Sequence, residues 1–193
     1  MLWTRRVRTT LRTYSRGMAG RQGRKGIGDV AGTATPATTA LTTLGIEFVV
    51  HTYTHDRGST AYGDEAVDAL SARFGLTADQ VFKTLVVAAG PSLAVAVVPV
   101  PSMLAPKAVA AALGWSKVAM ADPAAVRRST GYVLGGVSPL GQKSALPTVV
   151  DASALAHPRV FCSGGRRGLE IELSPEDLIR ATGATVADIR RHG

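Results

Sequence analysis

The chain has 193 residues, 46% hydrophobic and 5% aromatic, enough for one domain with an Ala, Val and Leu core but not for a row of aromatic platforms stacking successive RNA bases. Its net charge of +8 is unevenly placed: residues 1–30 hold eight Lys and Arg against Asp29 alone, and the remainder is nearly neutral, with 14 basic and 13 acidic residues. A single cysteine, Cys162, excludes an internal disulfide and a cysteine-built zinc site, and points to a reducing compartment.

Residues 1–32 read as a basic N-terminal extension, too rich in glycine and charge to bury a core, leaving 33–193 as the domain. No apolar run of the secretory kind precedes residue 30, although the Arg-rich, acid-poor composition also fits an organellar transit peptide, or a start at Met18 or Val30. Thr35-Pro36 predicts a helix start, and Ala37, Ala40, Leu41 and Leu44 continue it to Gly45. Residues 46–53 predict a strand, and 55–59 a loop. A helix follows over 64–74, with Ala66, Val67, Ala69 and Leu70 on one face and Gly75 at its end, then a capped turn at 77–80.

Between Lys83 and Lys107 lie 23 uncharged residues, long enough to span a bilayer. Gly90-Pro91-Ser92, Pro99 and Pro101 interrupt them, so strands 81–89 and 93–98 joined by a tight turn fit instead of a membrane helix. Next come helices over 106–113 and from Asp122-Pro123 to about 128, and a glycine- and proline-dense loop over 130–141. Strands at 148–151, 160–163 and 169–173 and a helix capped by Ser174 complete the chain. Hairpins and crossovers alternate irregularly, which predicts a mixed sheet in an α+β fold.

Three segments carry candidate chemistry. Lys83 sits within the apolar run Val81 to Val87, where a solvated charge is costly; its ammonium either snorkels at a sheet edge or holds an anion or carbonyl, and the flanking Phe82 and Leu85 favour the second. The loop from Arg128 to Lys143, with Gly135, Gly136 and hydroxyls such as Ser138, either aims backbone N–H groups at a carbonyl or phosphate oxygen or is an ordinary connection. Ser163-Gly164-Gly165-Arg166-Arg167-Gly168 matches no P-loop spacing and reads as a hairpin turn with exposed arginines. His51 and His55 pass from a strand into a loop without a third ligand, so no metal site is expected. Cys162 lies in an apolar strand and reads as a small buried hydrophobe rather than a nucleophile.

Taken in order, these pieces resemble one family. His51-Thr52-Tyr53, Gln80-Val81-Phe82-Lys83-Thr84-Leu85, Arg128-Ser129-Thr130-Gly131-Tyr132, Gly135-Gly136-Val137-Ser138-Pro139-Leu140-Gly141 and Ser163-Gly164-Gly165-x-Arg167-Gly168-Leu169 are similar to the YbaK/EbsC family of Cys-tRNA(Pro) deacylases, related to the editing insertion of prolyl-tRNA synthetases. The resemblance runs from about Thr35 to the C-terminus. It implies a curved mixed β-sheet, partly barrel-like and surrounded by helices, with no metal, no cofactor and no protein nucleophile. It implies Lys83 as the essential lysine beside Thr84, Tyr53 and Tyr62 lining the pocket, Gly135 and Gly136 as the substrate loop, and Ser163 at the pocket wall. Ser138 joins this set as a hydroxyl of the same loop. Tyr62 stands where phenylalanine is usual and Glu170 where aspartate is usual, so both bear on pocket size.

The implied partners are the aminoacylated acceptor end of tRNA(Pro) and prolyl-tRNA synthetase, in the cytoplasm and away from membranes. The implied reaction uses the cargo cysteine's own thiol, which makes a catalytic triad unnecessary. Water-based hydrolysis of Ala-tRNA(Pro) and a non-catalytic tRNA- or synthetase-binding module are the alternatives.

Overall fold

A computed structural model describes residues 32–56, 58 and 60–192 of the chain. The expected N-terminal extension falls outside these residues except for Gly32. Five α-helices are described: α1 (Pro36–Thr43), α2 (Tyr62–Phe74), α3 (Pro106–Leu113), α4 (Pro123–Thr130) and α5 (Pro175–Thr182). The strands are β1 (Val49–Thr52), β2 (Val81–Ala89), β3 (Ser92–Pro99), β4 (Ala119–Met120), β5 (Thr148–Asp151), β6 (Val160–Arg166), β7 (Leu169–Leu173) and β8 (Thr185–Ala187).

Local chemistry explains most boundaries. Thr35 caps α1 by accepting the Thr38 N–H, Asp122 caps α4 through the Ala124 and Ala125 N–H groups, and Ser174 caps α5 through that of Asp177, each followed by proline at the first helical position. Two strands were not expected, β4 and β8, and both are short: two and three residues. Pairing with β2 and β5 defines them, not their own composition. The uncharged stretch after Lys83 resolves into the β2–β3 hairpin and the start of α3, and no helix among the described residues is long and apolar enough to cross a membrane.

The sheet runs β1-β7-β6-β2-β3-β5-β8, with β4 against β2. The pairs β2–β6, β3–β5 and β5–β8 are parallel and the others antiparallel, so the sheet is mixed as expected. It is open, with β1 and β8 at its ends, and does not close into a barrel. Helices cover both faces. On one, Leu41 of α1 and Leu178 of α5 pack with Phe82, Val97, Cys162, Leu169 and Ile171. On the other, Ala66 and Leu70 of α2 meet Val81 and Phe161, while Val109 of α3 meets Ala94, Ala96 and Val98.

The two parallel central strands do not stay together. Their pairing covers Val81↔Phe161 and Phe82↔Cys162; β6 then passes through an irregularity between Ser163 and Arg166, and β2 next meets a strand on that edge at Val87. This parting leaves residues 83–86 of β2 without a strand neighbour on one side, and Lys83 and Thr84 occupy it.

Candidate active site

Lys83 is half-buried, and its ammonium donates to the Val100 carbonyl at 2.9 Å. Burial lowers its pKa, with the Asp64 carboxylate at the start of α2 acting in the opposite direction. Lysine carries three N–H donors, and the Val100 bond uses one. Thr84 follows it and, by strand alternation, belongs to the opposite face. Its Oγ1 is buried and has no hydrogen-bond partner among the described residues. Such a hydroxyl costs about 1–3 kcal/mol until something bonds to it.

Cross-strand register places the remaining polar residues in a row. Glu170 of β7 lies opposite both Ser163 of β6 and His51 of β1, and Ser163 follows the last residue of β6 that pairs with β2. Glu170 is buried, and burial pushes its carboxyl up to about 8. Tyr53 is pushed far above the ordinary phenol value, first by burial and then by the nearby Glu170 and Glu65. Cys162 is fully buried, and burial raises its thiol pKa as well, which keeps it an unreactive part of the core.

The glycine loop closes over this region. Tyr132 and Val137 pack on Val86 of β2, and the Tyr132 hydroxyl donates to the Leu140 carbonyl at 2.7 Å. Tyr62, the first residue of α2, lays its ring on Gly135: a Cβ there would come within 2.6 Å of the ring carbons. At Gly136 a Cβ would meet the Arg166 backbone at 2.9 Å, so the loop and the β6–β7 turn touch main chain to main chain.

Several expected residues take a different place. Gly136 does not offer a free amide, because its N–H donates to Val133 O at 3.0 Å and closes a turn. Gly135 N–H donates to no acceptor among the described residues, so of the two glycines it is the available donor. Ser138 is fully buried; its Oγ accepts the Leu140 N–H at 3.2 Å and its carbonyl accepts a bond from Gln142, so it shapes the loop interior. His55, weighed in the sequence only as a metal ligand, holds Glu65 at 2.6 Å and lies 5.7 Å from the Tyr62 ring. His51 pairs with Glu172 at 2.8 Å.

Three contributors went unrecognised: Val100, Asp64 and Arg167. The first holds the lysine and the second biases its charge. Arg167 stacks over Tyr62 with 4.6 Å from its Cζ to the ring centroid, and donates Nε and Nη2 to the Leu134 carbonyl at 3.1 and 2.9 Å. A surface groove of about 430 Å³ lies elsewhere, lined by Gly90, Leu93, Asp122 and Arg128. The candidate site is thus a covered seam under Tyr62 and Arg167.

Known proteins share this arrangement of chain. Residues 64–181 match the model of the aminoacyl-tRNA editing domain, more than half of the chain. A protein of Enterococcus faecalis named as a candidate Cys-tRNA(Pro)/Cys-tRNA(Cys) deacylase, EbsC, is 35% identical over 127 residues, which span 64% of this chain and 76% of that one. A crystal structure described as a candidate trans-editing enzyme for prolyl-tRNA synthetase superposes with a TM-score of 0.70 at 28% identity, covering 85% of this chain and all of that one. The crystal structure of hypothetical protein APE2540 has the same TM-score at 27% identity over 81% of this chain and all of its own. Fold, matched residues and relatives agree, and the chain belongs to the aminoacyl-tRNA editing domain family.

Proposed function

We propose that this editing domain is a hydrolase that removes cysteine from mischarged tRNA(Pro), acting in trans beside prolyl-tRNA synthetase in the cytoplasm. As an aminoacyl-tRNA deacylase it cleaves the ester between an amino acid and the terminal ribose. One observation carries the reading: the Lys83 ammonium, with donors to spare, lies where β2 parts from β6, and the Gly135 amide, without an acceptor among the described residues, lies in the loop held against Tyr62 at the start of α2. An aminoacyl ester next to a nucleotide phosphate presents acceptors for such donors.

An aminoacyl ester is already activated, so the protein has to position it and stabilise the developing oxyanion. The sulfur of the bound cysteine attacks its own carbonyl carbon. A carbon–sulfur bond forms, the ester carbon–oxygen bond breaks, and the thiol proton passes to the ribose oxygen; the resulting thiolactone hydrolyses to free cysteine. The Gly135 amide meets the carbonyl oxygen as it gains charge. Lys83 grips that oxygen or the terminal phosphate. Tyr53, Tyr62, Ser163 and Glu170 enclose the side chain. The buried, high-pKa thiol of Cys162 leaves the cargo as the source of sulfur. Charging errors with small amino acids are the expected targets, since a synthetase pocket separates side chains differing by a methylene or less by only about 1–3 kcal/mol.

The test is a deacylation panel on tRNA(Pro) charged with cysteine, alanine or serine, with Cys-tRNA(Cys) as a fourth substrate. Cys-tRNA(Pro) should be cleaved fastest, and the serine ester far more slowly because a hydroxyl is the poorer nucleophile. Equal rates for cysteine and serine would assign the attack to water, and alanine cleaved fastest would change the substrate. Lys83→Ala should abolish turnover while the thermal unfolding midpoint stays within a few degrees of wild type. Retained turnover removes Lys83 from the mechanism.

A further inference from the structure

Residues 133–136 form a turn whose geometry is defined. Gly136 N–H bonds to Val133 O at 3.0 Å, Gly135 has φ +80°, and no non-glycine residue among those described has positive φ. A closed four-residue turn with positive φ at its third position only is type II. Type I differs by rotating the central peptide about 180°. In this chain that peptide joins Leu134 to Gly135. Because a peptide is planar and trans, its carbonyl and its N–H point in opposite directions. Whatever holds Leu134 O therefore sets where Gly135 N–H points.

Arg167 holds it. Two guanidinium N–H groups reach Leu134 O at 2.9 and 3.1 Å across 33 residues of chain, and the guanidinium rests on the Tyr62 ring. Tyr62 in turn lies against Gly135. The arginine, the ring and the glycine form a stack that grips the turn from its outer side. The flanking Tyr132 and Val137 face β2 from the inner side. We infer that Arg167 is a positioning residue: by fixing the Leu134 carbonyl outward it locks the type II turn and aims the Gly135 amide inward at the ester oxygen. This role rests on the deacylase reading for its consequence, but the clamp itself does not.

The inference is tested on the full-length protein with Arg167→Ala and Arg167→Lys, reading kinetics and the Gly135 amide resonance by NMR with glycine ¹⁵N labelling. Losing one oxyanion donor typically lowers kcat by about 100-fold or more. Since the turn can still sample type II without the clamp, Arg167→Ala should lower kcat at least about tenfold with KM within about twofold. The exposed side chain can be removed without unfolding, and the Gly135 resonance should move. Lysine keeps the charge but not the fork, so Arg167→Lys should fall short of wild-type kcat. Full kcat with lysine would reduce the role to positive charge and overturn the inference. So would a rise in KM at unchanged kcat, which marks a contact to tRNA phosphate. If wild type deacylates no aminoacyl-tRNA, the proposed function fails while the clamp is still decided: a shifted Gly135 amide in Arg167→Ala supports it, and an unshifted one overturns it.

Discussion

Glu170 is a buried acidic residue that lies across the strands from Ser163 and His51. Its carboxyl, raised by burial from 4.5 to about 8, keeps its proton at neutral pH in the folded protein and loses it in the unfolded chain. Between those two values the native state binds the extra proton, so stability falls as pH rises, by up to about 1.4 kcal/mol per pH unit. Below 4.5 both states are protonated and the dependence from this group vanishes. Urea unfolding of wild type and Glu170→Gln at pH 5, 6.5 and 8 checks this: the wild type should weaken across the series and the variant much less. Parallel pH dependences would mean that Glu170 titrates near its ordinary value. The sequence singled out Glu170 for its length relative to aspartate; its proton is a property of the fold, because only the folded chain buries the carboxyl.

Among the elements, α1 has a contact that reaches the site. The Thr35 hydroxyl accepts the Thr38 N–H as helix cap and donates to Gly164 O at 2.6 Å, inside the irregular part of β6 next to Ser163. One side chain thereby starts a helix and satisfies a buried carbonyl where β6 turns away from β2. Removing a cap costs about 1 kcal/mol, and stranding a buried acceptor adds about 1 kcal/mol or more. Thr35→Ala should lower the unfolding free energy by about 2 kcal/mol in urea, with Thr35→Ser close to wild type. A loss under about 0.5 kcal/mol would show that α1 is not anchored there. The cap was legible in Thr35-Pro36, as were those at Asp122-Pro123 and Ser174-Pro175, since a cap is a matter of neighbouring residues, whereas α2, expected from residue 64, starts at Tyr62. The bond to Gly164 was not, because 129 residues separate the partners.

Over the whole chain the charge is divided. Residues 1–30 carry eight cations and one anion, while residues 31–193 are close to neutral. Affinity for RNA falls with salt in proportion to the phosphates neutralised, at a slope of about −0.7 to −0.9 per phosphate. A chain lacking residues 1–30 should bind tRNA with a shallower dependence of log Kd on log salt, and its kcat on Cys-tRNA(Pro) should match the full chain. Identical slopes would leave the basic segment without a part in binding. The same comparison tests whether 33–193 is a self-sufficient domain, which its caps and packed faces support.

Most of the element order, the hairpin after Lys83 and the buried setting of Cys162 were readable from the chain, as was the cost of placing Lys83 in an apolar strand. Each depends on residues a few positions apart, through caps, alternation or the cost of a buried charge. Folding settled the rest. Composition marked Gly135 and Gly136 as equivalent, yet the turn consumes one amide and frees the other. Ser138 looked like a substrate hydroxyl and became interior scaffolding. Arg167 looked like an exposed turn residue and is bonded to a carbonyl 33 positions away. Hydrogen bonds have fixed lengths and directions, and which groups meet at those distances is set by strand register and helix packing, neither of which any short stretch of this chain contains.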